Sequence, residues 1–130
     1  MGLEEKRKVK ELTDEVLPGR VAEIEEICGA AIPYDVDWDS FGGDLGALNY
    51  MDNVSCHRLN MALRVICSDD LGKEAVRDAI KKVRLVCVPD QADKSLAFAD
   101  GTLTMTCAYA AGLDGAFSDN EIRELLLQHL

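Results

Sequence analysis

The chain has 130 residues and a mass of 14.2 kDa, the size of one ordinary domain. Area scaling gives roughly 6,800 Å² of folded surface against about 20,600 Å² unfolded, enough burial for a core without disulfides or a structural metal. With 48% hydrophobic and 29% charged residues wholesale disorder is excluded, and a net charge of −10 disfavours a generic binder of nucleic acid or of an anionic membrane.

Val9, Leu12 and Val16 recur at spacings of three and four and predict a helix over about 3–17. Pro18-Gly19 interrupts the pattern. Proline fits the first turn of a helix and not its interior, so a second helix is expected to start there. Val21, Ile24, Ile27 and Cys28 form its apolar face, and Gly29 is its stop. Residues 32–38 alternate, with Ile32, Tyr34, Val36 and Trp38 on one side and Asp35 and Asp37 on the other. This is a strand with one wet face, and Pro33 assigns it to a sheet edge or a strand start.

Gly42, Gly43 and Gly46 mark a loop, and a long helix is expected over 54–68. Ser68-Asp69-Asp70 offers capping oxygens for another helix reaching about Val83. Strands follow over 83–88, 95–99 and 102–109, the last two joined by Asp100-Gly101, a strong hairpin signal. Ser118-Asp119-Asn120-Glu121 reads as a capping box opening a final helix. The order α-α-β-α-α-β-β-β-α predicts a single α+β domain over 1–130, with a helical segment (1–29) and a sheet-and-helix core (30–130). Its helices are expected to pack on a mostly antiparallel four-stranded sheet.

The five cysteines, Cys28, Cys56, Cys67, Cys87 and Cys107, are widely spaced and form no CxxC clip. Their apolar neighbours suit buried thiols, and a reducing cytosol fits them best. The N-terminal residues lack the apolar region of a signal peptide, and no apolar run approaches a membrane span. A cytoplasmic chain is expected.

Candidate sites are few. Asp35, Asp37 and Asp39 could line up as oxygen ligands for a hard cation. Ser40 and Gly46 stand where a calcium loop needs its turn glycine and closing glutamate, and a charged edge strand explains the same row. The stretch from Asp114 to Glu121 resembles the back half of such a loop, but Ala110 and Gly112 replace its front ligands.

Asn53, His57, Asn60 and Arg64 fall on one helical face at spacings of four, three and four. One imidazole, two amides and a guanidinium suit an anionic or amide-bearing ligand. The competing explanation is a helix face at the core edge whose polar groups bond to loop backbone. Lys73, Arg77 and Lys81 recur every four residues and Arg84 follows, a basic patch that could dock an acidic partner or the acidic strand of another copy.

No phosphate loop, nucleophile elbow or metalloprotease motif is present, no catalytic residue is assigned, and no cofactor is expected. The reading favours a binding module for another protein or for itself over an enzyme. Its alternatives are a small-molecule or enzymatic pocket along the Asn53–Arg64 face, and an acidic inhibitor or immunity-type protein that blocks a basic target.

Overall fold

The computed structural model describes residues 2–130. Its accessible surface of 6633 Å² agrees with the area expected for one domain of this mass. The helices are α1 (Leu3–Glu11), α2 (Leu17–Cys28), α3 (Leu45–Met51), α4 (His57–Ile66), α5 (Asp70–Ala79) and α6 (Asp119–Leu127). The strands are β1 (Tyr34–Val36), β2 (Lys82–Cys87), β3 (Ser95–Ala99) and β4 (Thr102–Cys107). The α+β class and the element order match the sequence pattern.

Helices α1 and α2 are one rod, joined by a π-helical turn over Leu12–Val16. The Leu17 amide donates to the Leu12 carbonyl, one residue further back than in an α-helix. Pro18 brings no N–H and its ring would strike the carbonyl four residues earlier. The widened turn just ahead of it relieves that conflict, so the expected break becomes a local change of phase. The rod ends as expected at Gly29, whose left-handed conformation (φ 81°) releases the chain.

A second composite rod spans 45–66. The Asp44 carboxylate accepts from the Ala47 amide and starts it nine residues earlier than the sequence pattern suggested. A π turn over Asp52–Cys56 links α3 to α4. Asp69 caps α5 through the Gly72 amide, and the Ser118–Glu121 capping box opens α6. That box holds the Glu121 carboxylate on the Ser118 amide.

The sheet order is β1-β2-β4-β3. The sheet is mixed and not mostly antiparallel: β1–β2 and β2–β4 are parallel, and only β3–β4 is antiparallel. The Asp100-Gly101 turn (φ 52° and 77°) makes β3–β4 a hairpin; helices α3 to α5 return the chain from β1 parallel to itself in β2, and β3, on the far side of β4, returns it parallel to β2 in β4.

Val83, Leu85, Leu103, Met105 and Cys107 are buried on the face covered by helices, against Ile24, Leu48, Met51, Leu59, Leu63 and Ile122. The opposite face stays open. It carries Asp35, then Lys82, Arg84 and Val86, then Thr102, Thr104 and Thr106, and last Ser95, Ala97 and Ala99.

Two glycines separate local propensity from packing. A Cβ at Gly72 would overlap the carbonyl oxygen of Ile66, where α5 begins against the end of α4. Nothing approaches Gly19, which lies within α2. Urea unfolding should show Gly72→Ala destabilised by about 3 kcal/mol and Gly19→Ala stabilised by about 0.5–1 kcal/mol. Equal effects of the two would contradict the close approach of α5 to α4.

Candidate functional site

Arg20 projects from α2 toward the π turn of the central rod. Its Nε and Nη2 donate to the two carboxylate oxygens of Asp52 at 2.7 and 2.9 Å, a bidentate fork. Its Nη1 donates to Glu23 Oε1 at 2.9 Å, and the same oxygen accepts from Asn60 Nδ2 at 2.8 Å. Asn60 Nδ2 also lies 3.5 Å from the Arg20 carbonyl oxygen. These four residues fasten α2 to the central rod. The hydrogen bond from Arg20 holds the Glu23 carboxyl below its ordinary range, with Asn60 contributing.

The π turn over Asp52–Cys56 sends three side chains to different partners. Asp52 holds Arg20, while Ser55 Oγ lies 2.7 Å from the hydroxyl of Tyr109, a fully buried ring stacked on Phe41 at 5.2 Å. Burial pushes the Cys56 thiol up to about 12. The Tyr34 hydroxyl sits against that thiol, and burial raises it well above the ordinary phenol value.

The same arrangement opens a groove of about 430 Å³ beside β1. The first rod supplies Thr13, Leu17, Pro18 and Val21 as one wall. Pro33, Tyr34, Val36 and Trp38 form the other. A second hollow of about 380 Å³ shares Val36 and Trp38 and adds Asp37, Asp39 and Arg84. The two hollows adjoin at Val36 and the half-exposed indole of Trp38, and we read them together as a trough with an apolar and a charged end.

Its floor includes a free strand edge. Strand β1 pairs only with β2. The Val83 amide donates to Pro33 O, and the Asp37 amide donates to Leu85 O. By alternation, the amides and carbonyls of Tyr34 and Val36 face away from β2. No strand pairs there among the described residues, and no loop backbone bond reaches them.

The residues singled out by spacing have different fates. Asn60 is buried, its Nδ2 donating to Glu23 and its Oδ1 without a hydrogen-bond partner, whereas Asn53 and Arg64 are exposed and His57 is half-buried. Neither hollow is lined by any of the four. Lys73 and Arg77 lie on α5, where Arg77 covers Gly29 at the end of α2. Lys81 Nζ donates to the Arg77 carbonyl, satisfying the end of α5.

Arg84 is not part of that patch. It lies on the open sheet face, 2.8 Å from Asp35 Oδ2 and 3.5 Å from Asp37 Oδ2. Lys82 stands 3.8 Å from Asp35. The acidic strand thus pairs with basic groups of its own chain. Asp37 also accepts from the Ser40 amide, and Asp39 is exposed. Among the described residues, no group of three or more His, Cys, Asp or Glu side chains is placed to hold a metal ion.

The groove went unmarked by spacing because its walls come from residues 13–21 and 33–38, each of which reads as ordinary apolar face. The one available signal was the pairing of an edge-directing Pro33 with Trp38, an indole left on a strand with a wet face. Compared with family models, curated proteins and solved structures, the chain matches none.

Because Glu23 titrates lower in the folded chain, its unfolded form binds protons more readily. Its contribution is complete above the ordinary value of 4.5 and is lost as pH falls through the lowered folded value. Urea melts from pH 6 down to about pH 3 should show a smaller acid loss for Glu23→Gln than for the parent. An unchanged acid slope would contradict the clasp.

Proposed function

We propose that this chain is a protein-interaction module that binds an extended segment of a partner along the free edge of β1. The single observation that carries this reading is the union of an unpaired strand edge with a trough that is apolar at one end and carboxylate-bearing at the other. An added strand would bond through the amides and carbonyls of Tyr34 and Val36. Alternate apolar side chains would fall between Val21, Leu17 and Trp38. A lysine or arginine further along would meet the exposed Asp39, beside Asp37 and its partner Arg84. The net charge of −10 favours approach of such a cationic segment and makes association sensitive to salt.

The trough has the volume of a small-ligand site, but polar anchoring groups are scarce at its apolar end. Backbone bonding to a strand edge supplies the missing directionality. The edge is three residues long, which suits a short-lived contact.

Trp38 is the chain's only tryptophan, so its emission reports on the trough alone. A short synthetic peptide alternating valine with lysine should shift that emission to the blue in a saturable titration. Replacing its lysines with glutamate should abolish the response, added salt should weaken it, and Val21→Asp should remove it while the far-ultraviolet circular dichroism stays unchanged. A response equal for both peptides, or absent for both, would overturn the proposal.

A further inference from the structure

About 10 Å along α2 from the groove, two buried thiols meet. Cys28 is the last residue of α2, and Cys67 directly follows α4. Their sulfurs are 3.0 Å apart. That is closer than an ordinary thiol contact and about one ångström from a covalent S–S bond. Both side chains are nearly sealed, Cys28 at 0% exposure and Cys67 at 5%.

The surroundings distinguish the two. Burial raises both thiols above their ordinary range. At Cys67 the hydrogen bond with the Cys28 thiol opposes that rise most, followed by the charges of Lys73 and Arg77, while Asp69 adds to it. At Cys28 only Lys73 opposes it. The basic groups of α5 thus favour the thiolate of the outer member of the pair, where a nucleophile is needed.

We propose that Cys28 and Cys67 are a redox-active dithiol, oxidised by a small-molecule disulfide such as oxidised glutathione to a cross-link between the ends of α2 and α4. The Cys67 thiolate attacks one sulfur of the external disulfide, breaks its S–S bond and releases one thiolate, which takes up the proton lost by Cys67. The Cys28 thiolate then attacks Cys67 Sγ, breaks the mixed disulfide and releases the second thiolate, which takes up the proton of Cys28. Two electrons pass from the cysteine pair to the external disulfide, which leaves as two thiols. The cross-link would close a loop of 39 residue steps, long enough to restrict the unfolded chain substantially.

The test uses the full chain, reduced and then exposed to oxidised glutathione in two arms. One arm keeps it native, and the other refolds it from denaturant so that buried thiols meet the oxidant before the core closes. The expected result is a fall from five titratable thiols to three, with a tryptic fragment joining Cys28 to Cys67. The thermal midpoint should rise by several degrees and revert with dithiothreitol. Cys67→Ser should leave Cys28 unlinked. Five remaining thiols in both arms would overturn the proposal. So would a glutathione adduct that persists unresolved, or a link between Cys87 and Cys107, which stand opposite each other in the β2–β4 register. None of these readouts involves the groove or its peptide.

Discussion

The fork between Arg20 and Asp52 is the constraint on which the rest depends. Helix α2 has a narrow apolar face, with only Leu17, Ile24 and Cys28 buried. Hydrophobic burial therefore brings it to the central rod without specifying its rotation or axial position. The fork specifies both. Arg20 fits Asp52 only where two parallel bonds of 2.7 and 2.9 Å can form. Glu23 then carries the arrangement on to Asn60, about two turns further along the central rod. Such partly buried charges add modest net stability, but displacing one strands the others, which penalises a shifted register. The wall of the groove, from Leu17 to Val21, is held in place by this clasp.

The two π turns make the clasp possible. The first lets the chain pass Pro18 without breaking, which keeps Thr13 and Leu17 on one wall. The second interrupts the central rod between Asp52 and Cys56, where Asp52 holds Arg20, Ser55 bonds Tyr109 and Cys56 lies beside Tyr34. Within it Ser55 and Cys56 are buried in the core while Asp52 reaches α2. Wide turns of this kind cost helix regularity and are retained where side chains must be re-aimed. Here they sit on both sides of the same junction.

Much of the fold was legible because its signals are local. Gly29, Asp69, Ser118 and the Asp100-Gly101 turn each announce a boundary through backbone chemistry that needs no partner. Leu59 and Leu63 were rightly placed in the core by spacing alone. What spacing could not reveal is non-local. Three glycines between Gly42 and Gly46 concealed the Asp44 cap and hence the true start of the central rod. Strand direction depends on how the chain connects across the sheet, so spacing allowed a parallel β1–β2 pair without fixing it and did not reveal that β2–β4 is parallel as well. Asn60 looked like a ligand-binding amide because its partner, Glu23, lies 37 residues away. Arg84 looked like the end of a helical patch because the sign of its neighbours is set by β1, across the sheet. The groove was hidden for the same reason, since neither wall is unusual until the other faces it.

The claim that one edge of β1 stands open is tested most directly by residue-resolved amide hydrogen exchange on the unbound chain. Amides turned toward β2, those of Asp35 and Asp37, should exchange slowly, while those of Tyr34 and Val36 on the same strand should exchange rapidly. Equal protection of all four amides would mean that the edge is already bonded, and the account of a docking strand would be wrong.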